Sequence, residues 1–467
     1  MAIRIFQHYW QLPLALLALF ETFGFYLAPF GAAYTLRRFF EMPLADVGPI
    51  EPRGLLCAAV MFIAMAAMGL YNARQRSRLL GMLTRVAASI LGGAIGLAIV
   101  FYLVPELHLG RGALLLIATI AFLEATALRI LFEWLVNEEI FKRRVLVYGT
   151  GRRAASIAKL RRRSDMRGFM VVGYVAAEGD ESVVGVPESK QIKGTADLLA
   201  ICRKEEVDEI VVAMDDRRRS FPMMHLLECR LEGLEITELV SFLERETGKV
   251  RLDVLNPSWM IFSEGFRQGR INTLLERTFD IVASFLLVLI TLPIMLLTAL
   301  AIKFEDGPRA AIFYRQTRVV QYGLTLRLMK LRSMSEDAER DGAPQWAQKN
   351  DSRVTRVGSF IRMTRIDELP QILAVLRGDM SFVGPRPERP EFVAHLNERI
   401  PYYRERHSIK PGITGWAQLC YPYGSSEQDA AEKLQYDLFY VKNHSLLFYL
   451  AILVQTVEVI VWGKGAR

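Results

Sequence analysis

TRIDELPQILAVLRGDMSFVGPRP, residues 364 to 387, concentrates acid, base and turn residues in one short stretch. Asp367 and Glu368 precede Leu369, Pro370 and the apolar run QILAVL, whose spacing is helical. Proline is tolerated in a helix only in its first turn, which places Asp367 at or next to a helix N-terminus. Free backbone N–H groups there favour anions, phosphates included. An Asp-Glu pair in that position is, by itself, more often a cap and a first-turn dipole partner. The neighbours shift the balance. Arg365 stands two residues before Asp367, Gly378-Asp379-Met380-Ser381 follow the helix, and Gly384-Pro385-Arg386-Pro387 is a stiff turn with prolines on both sides of the arginine. Carboxylates, arginines and rigid turns together suit a phosphate site.

Upstream, Arg315, Gln316, Arg318, Lys330 and Arg332 accumulate. A cation cluster is usually a solvated face or a contact with anionic lipid. Interleaving with Phe313, Tyr314 and Leu328 points to a partly buried, ligand-facing subset. Downstream, PGITGWAQ (411 to 418) either lines a pocket or shapes a loop. SLLFYLAILVQTVEVIVW (445 to 462) carries Gln455 and Glu458, which favours an interfacial or partly buried helix over a span.

Between residues 278 and 302 runs FDIVASFLLVLITLPIMLLTALA, long enough to cross a bilayer. Crossing would put residues 311 to 467 on the far side from everything before. Pro293 removes a backbone hydrogen bond at mid-depth, and Thr291 can offer its hydroxyl to a freed carbonyl. A helix broken there enters and leaves by one face, so residues 271 to 310 read as a re-entrant membrane helix.

Residues 141 to 270 read as a Rossmann-like parallel α/β domain. VLVYGTGRRAASIAKL (145 to 160) is a buried strand followed by Gly149-x-Gly151-x-x-Ala154 opening a helix, the dinucleotide fingerprint in its strand-turn-helix context. VVGYV (171 to 175) and EIVVAM (209 to 214) alternate with helical patterns near Thr195 and Ser220. The acid that should hold a ribose is missing from 171 to 177, and Glu178 comes late. A module that positions or regulates its neighbours, with or without a nucleotide bound but without chemistry, is therefore preferred to a redox role.

Residues 1 to 140 read as a four-helix transmembrane bundle, with apolar segments at 12 to 36, 55 to 71, 86 to 104 and 113 to 136. Arg74, Arg76, Arg78 and Arg85 fill the second loop and Lys142, Arg143 and Arg144 follow the fourth segment, whereas the third loop has only Arg111. That bias puts the second loop and the downstream domains inside, with Arg37 and Arg38 counting the other way. Glu21, Glu124 and Arg129 are expected to face the bundle interior and pair there.

Composition agrees with this division. The 467 residues allow about three domains, and 52% hydrophobic with 23% charged residues suits membrane segments joined to soluble domains. Mean hydropathy is +0.20. A net charge of +8 fits nucleic acid, acidic lipid or phosphorylated substrate alike. Cys57, Cys202, Cys229 and Cys420 lack the spacing of a zinc site or a disulfide framework. The first apolar stretch is too long for a cleavable signal peptide.

From Asn272 onward the chain resembles the bacterial polyprenyl-phosphate sugar-1-phosphate transferases, the monotopic phosphoglycosyl transferases that start glycan assembly on a lipid carrier. The resemblance rests on ERTFD (276 to 280), FYRQTRVV (313 to 320), LMKLRSM (328 to 334), TRIDELPQI, GDMSFVGPRP and KPGITGWAQ (410 to 418). It implies a small α-rich catalytic domain at 311 to 467 on the cytoplasmic face of the bacterial inner membrane. It also implies sugar-1-phosphate transfer from a UDP-sugar to undecaprenyl phosphate, with release of UMP. Asp367 would be the nucleophile and a magnesium contact, Glu368 its helper, and Arg386 a phosphate holder. Arg365, Lys330 and Asp437 would be further members, and Arg332, Arg315 and Gln316 of the cation cluster are substrate-binding candidates on the cluster's own reading. In that family the re-entrant break is usually Ser-Pro, and Thr291-Leu292-Pro293 departs from it. The long form often serves exopolysaccharide or O-antigen pathways. Its partners would be UDP-sugar, undecaprenyl phosphate and membrane lipids, with room for a homo-oligomer and no nucleic acid.

Two other readings compete. A membrane-bound nucleotide-sugar dehydratase or epimerase needs Tyr-x-x-x-Lys in a second nucleotide-binding domain, and no tyrosine here has lysine four residues later. A non-catalytic scaffold of a polysaccharide assembly complex would function without Asp367.

Overall fold

The structure is a computed structural model that describes residues 2–5, 8–39, 49–71, 79–107, 109–135, 142–160, 168–177, 180, 186–192, 197–216, 221–255, 257–263, 265–266, 269–334, 353–422, 424 and 426–461. Arg74, Arg76, Arg78, Glu178, Thr195, Ser220 and Trp462, all of which bear on the sequence patterns above, lie outside the described residues. The chain divides into two compact units, Met1–Gly248 and Lys249–Arg467.

The first unit opens with a short antiparallel hairpin, β1 (Ala2–Ile5) and β2 (His8–Gln11). Four helices follow: α1 (Leu12–Phe39), α2 (Glu51–Ala67), α3 (Leu79–Leu103) and α4 (Arg111–Leu135). Phe25, Met61, Met65, Leu97, Ile117 and Ala121 form their shared core, while Leu19, Leu91 and Leu123 point outward. This is the packing of a bundle whose outer surface is apolar. Helices α1, α3 and α4 are long and apolar enough to cross a membrane. Helix α2 has 17 residues and rises about 25 Å, short of the roughly 30 Å hydrocarbon layer.

Glu21 and Arg129 face inward and pair, as expected, whereas Glu124 is half-buried with its Oε2 unpartnered. Arg129 Nη2 donates to Glu21 Oε2 at 2.9 Å, and Arg129 Nη1 donates to Leu70 O at 3.1 Å. Gly24 leaves space for Glu124, whose Oε1 lies 1.6 Å from where a Cβ would stand.

The α/β part of this unit is a five-stranded, all-parallel sheet made of β3 (Arg143–Tyr148), β4 (Phe169–Val175), β5 (Gln191–Ile192), β6 (Glu209–Val212) and β7 (Glu235–Glu238). Its order is β5-β4-β3-β6-β7. This is the doubly wound order, which reverses direction between β3 and β6. Helices α5 (Arg152–Ala158), α6 (Leu198–Lys204), α7 (Met223–Leu231) and α8 (Leu239–Thr247) accompany the sheet. Leu146, Ile210, Met214 and Cys229 lie at its core.

The second unit begins at Lys249, ahead of residue 271. The intervening chain, which includes α9 (Pro257–Phe262), is tied into it. Val250 N donates to Gln435 O at 2.9 Å, Phe266 N to Lys442 O at 3.0 Å, and Lys442 Nζ stands 4.0 Å from the Trp259 ring centroid.

Next comes α10 (Arg270–Asp306), 37 residues with Pro293 inside. The helix is continuous through Thr291 and Pro293. Thr291 Oγ1 donates to Leu287 O at 2.7 Å, an ordinary bond to the fourth residue back. It does not reach the Leu289 carbonyl that Pro293 leaves without its usual donor. One missing N–H among many intact ones bends a helix more readily than it breaks it.

The remaining elements are an antiparallel pair, β8 (Phe313–Val319) and β9 (Thr325–Leu331), then α11 (Arg356–Met363), a 3₁₀ turn at Ile366–Gln371 and α12 (Ile372–Arg377). Strand β10 (Ser381–Val383) pairs in parallel with β11 (Gly412–Thr414). Between and after them lie α13 (Pro390–Arg399), α14 (Trp416–Cys420), α15 (Glu427–Lys442) and α16 (Leu446–Val461). Tyr449 and Ile452 of α16 are fully buried against Val375, Met380 and Tyr440, while Leu447 and Val457 are exposed. The last helix is therefore partly buried, as its Gln455 and Glu458 suggest.

Candidate active site

Asp367 sits in the first residues of the 3₁₀ turn, just after Arg365, which adopts the left-handed conformation at φ 62°. A left-handed arginine ends α11 and redirects the chain, so the next residues start a tight turn instead of prolonging the helix. Pro370 lies within that turn, which continues into α12. Asp367 is buried, and its Oδ1 has no hydrogen-bond partner. Burial holds its carboxyl above the ordinary aspartate range, Lys330 partly offsets this, and the charge of Glu368 adds to it.

Glu368 is the opposite case. Its Oε1 accepts from Lys330 Nζ at 2.8 Å and from Arg386 Nη2 at 2.9 Å. Burial would raise its pKa, but Arg386 and Lys330 outweigh burial and hold it far below the usual range. Two adjacent carboxylates are thus driven apart in character, one firmly ionised and neutralised by cations, the other buried with a free oxygen.

Lys330 reaches this point from β9. In the β8–β9 register Tyr314 faces Lys330 and Gln316 faces Leu328, so the even-numbered residues share one face. Gln316 accepts from Arg318 Nη2 there, and Arg318 Nη1 donates to Pro387 O at 3.2 Å, tying the strand to the Pro-Arg-Pro turn. Arg315 is exposed on the opposite face, so the structure does not bring it to the carboxylates. Arg332 lies just past β9, its N–H on Ile312 O at 2.8 Å. Arg365 is exposed but close enough to lower the Asp367 pKa.

The turn that carries Arg386 is held by close backbone contact with KPGITGW. Gly384 N donates to Thr414 O at 2.9 Å and Gly412 N to Pro385 O at 3.0 Å. A Cβ on Gly384 would meet Lys410 O at 2.3 Å, and one on Gly412 would meet Gly384 N at 2.0 Å. Both glycines are there because the two backbones touch. Trp416 packs on Phe439 and Phe448. The KPGITGW motif therefore shapes the loop and its core.

Asp437 does not face a ligand, as a substrate-binding role would require. It is buried on α15 and paired with Arg406, whose Nη2 lies 2.7 Å from Asp437 Oδ2. Arg406 also donates to Tyr403 Oη at 2.8 Å and, through Nη2, to Arg386 O at 3.1 Å. Asp437 thus acts on the Pro-Arg-Pro turn through Arg406, a residue that sequence reasoning misses. In YRERHS an arginine among charges reads as a solvated residue, and only the tertiary pairing distinguishes it.

Comparison with known proteins supplies the family. A family model described as bacterial sugar transferase matches residues 271–463. The UDP-glucose:undecaprenyl-phosphate glucose-1-phosphate transferase of Escherichia coli K12 is 33% identical over 71% of this chain and 70% of its own length. The chain belongs to the bacterial sugar transferases.

A second relative of this sugar transferase is the UDP-N-acetylgalactosamine-undecaprenyl-phosphate N-acetylgalactosaminephosphotransferase of Aeromonas hydrophila, 39% identical over 52% of this chain. That match spans 56% of the relative's length. The UDP-glucose:undecaprenyl-phosphate glucose-1-phosphate transferase of Xanthomonas campestris is 29% identical over 90% of this chain and 89% of its own. A model described as CoA-binding domain matches residues 66–221. In this sugar transferase the family match covers the region where a dehydratase or epimerase would need its second nucleotide-binding domain. All of the residues gathered around Asp367 fall inside it.

Proposed function

We propose that this enzyme transfers a sugar-1-phosphate from a UDP-sugar to undecaprenyl phosphate at the cytoplasmic face of the bacterial inner membrane, as the first membrane step of exopolysaccharide or O-antigen-type glycan synthesis. The observation that carries the reading is the unpaired, buried Oδ1 of Asp367 beside a Glu368 already neutralised by Lys330 and Arg386.

A carboxylate approaching a diphosphate is repelled, by about 4 kcal/mol for unit charges roughly 4 Å apart at an effective dielectric near 20. Lys330 and Arg386 sit where that repulsion arises, and each can shift from Glu368 toward phosphate oxygens as charge builds. Asp367 attacks the phosphorus nearest the sugar. The bond from that phosphorus to the bridging oxygen breaks, and UMP leaves with the oxygen. The sugar phosphate stays on the Asp367 carboxylate as an acyl phosphate. A phosphate oxygen of undecaprenyl phosphate then attacks the same phosphorus, the bond to Asp367 breaks, and the carboxylate is restored. Among the described residues no group of three or more His, Cys, Asp or Glu could by itself hold a metal. One or two carboxylates with substrate phosphates are a common magnesium donor set, and Asp367, with its unpartnered Oδ1, would be the protein's contribution to it. When bound, magnesium would neutralise the diphosphate.

Both ends of α10 dock on the same small domain, which supports a helix that enters and leaves by one face. Near its start, Arg277 donates to Val375 O at 2.6 Å and Leu376 O at 2.7 Å. Near its end, Glu305 accepts from Arg356 N and Val357 N at 2.8 and 2.9 Å, and Ile302 packs with Leu331 and Ile361. A straight span would leave a bilayer between those contacts.

The test is nucleotide release from purified enzyme, magnesium, undecaprenyl phosphate and a panel of UDP-sugars. UMP, lost in Asp367→Asn, is the expected product. UDP would mean simple glycosyl transfer, and release by the variant would favour the scaffold reading.

A further inference from the structure

The glycine turn between β3 and α5 has the outline of a dinucleotide-phosphate cradle, but its donors are already engaged. In the dinucleotide fold, backbone N–H groups after the first and second glycines point at a pyrophosphate, and the second glycine lacks a side chain so that the phosphate can come close. Here Thr150 N donates to Asp180 Oδ2 at 2.9 Å. Arg152 N and Arg153 N donate to the two oxygens of Asp215, each at 2.8 Å. Asp215 N donates to Asp180 Oδ1 at 3.2 Å, which joins the two carboxylates.

Gly151 makes room for one of these carboxylates. A Cβ on it would stand 2.2 Å from Asp215 Oδ2. At Gly149, with φ 135°, an added Cβ would stand 2.6 Å from Ala213 O. Asp215 follows β6, the neighbour of β3, and Asp180 follows β4, the neighbour on the other side. The carboxylates therefore enter from both sides of the topological switch point, where ligands bind in open α/β sheets.

We infer that the glycine turn of this module is closed by its own carboxylates, Asp180 and Asp215, and takes neither the pyrophosphate of a dinucleotide nor that of CoA. The residues present do not fit the group that the CoA-binding match at 66–221 implies. A phosphate there would displace three charge-assisted hydrogen bonds and lie beside two like charges. The turn keeps the fold of a nucleotide site and uses its anion preference internally, pinning the ends of β4 and β6 to the start of α5.

Hydrogen exchange on the full-length protein, read peptide by peptide, tests this with CoA, NAD⁺ and inorganic pyrophosphate as probes at about 1 mM. In the wild type no probe should change exchange across residues 149 to 158. Residues 364 to 377 report any anion taken up at the catalytic site, so the two places are read separately. In Asp180→Ala/Asp215→Ala the turn amides should exchange on the order of tenfold faster, and pyrophosphate should slow them again. Asp215→Asn, which keeps an acceptor oxygen, gives the same comparison if the double variant does not fold. Protection of the wild-type turn by CoA or NAD⁺ would overturn the inference. So would unchanged exchange in the variants, or variant amides indifferent to pyrophosphate.

Discussion

The two turns that a phosphate-binding reading selects from this sequence, Gly149 to Arg153 and Arg365 to Gln371, use carboxylates in opposite ways. At the glycine turn, Asp180 and Asp215 accept from backbone N–H groups. At the second turn, Glu368 takes up two cations while Asp367 keeps a buried oxygen with no partner. A carboxylate that is satisfied by backbone donors stabilises a fold, whereas a buried one left unsatisfied costs stability and is retained for chemistry. Both turns lead into a helix, and the state of the hydrogen bonds separates them.

Substitutions should reproduce that contrast. Asp367→Asn should lower sugar-phosphate transfer by on the order of 10⁴-fold with an unchanged or higher Tm, because an amide can replace an unpaired charge. Calorimetry and UMP release on the same preparation check both. Arg386→Ala should cost about 10²–10³-fold in kcat and would sharpen the comparison by leaving Glu368 with Lys330 alone.

Lys330→Gln should cost about 10²-fold in kcat and move the acid limb of the pH–rate profile. The nucleophile must be ionised, so activity falls as pH drops through the raised pKa of Asp367. Lys330 lowers that pKa, so removing its charge should shift the limb to higher pH. Glu368 is held far below the usual range and should contribute no limb near neutrality.

Asp437→Asn should act mainly on stability. It leaves the buried Arg406 guanidinium without its counter-charge, a loss of about 3–5 kcal/mol when such pairs are broken. A smaller fall in kcat should follow through the Arg386 carbonyl, without a matching rise in KM. At the other turn, Asp215→Asn should leave the rate of sugar transfer unchanged and lower stability by about 1 kcal/mol. A large rate effect there would erase the distinction between the two turns.

Residues that bond along the chain are legible from sequence, and residues that bond across it are not. The strand-turn-helix at 145 to 160, the Asp367 turn and the bundle each carry a local pattern of apolar period, proline or glycine. Strand β7 (Glu235–Glu238) has the sequence EITE, whose acidic ends hide it. Its place comes from pairing with β6. Lys330 and Arg386 stand out within their motifs, but the shared contact with Glu368 needs the register of β9 and the Pro-Arg-Pro turn together. Arg315 is misplaced by sequence because a charge cluster has no face until the strand period is imposed. Asp437 reads as a ligand contact because its partner, Arg406, lies far from it in sequence.

The covalent step can be observed directly. Enzyme is mixed with a UDP-sugar labelled in the phosphate nearest the sugar, without undecaprenyl phosphate, then quenched and digested for mass spectrometry. The expected result is a labelled sugar-phosphate on the peptide containing Asp367, released by hydroxylamine and by added undecaprenyl phosphate, and missing from Asp367→Asn. Stoichiometric UMP release with no adduct, or an adduct on another residue, would contradict the nucleophilic role of the unpaired Asp367 carboxylate.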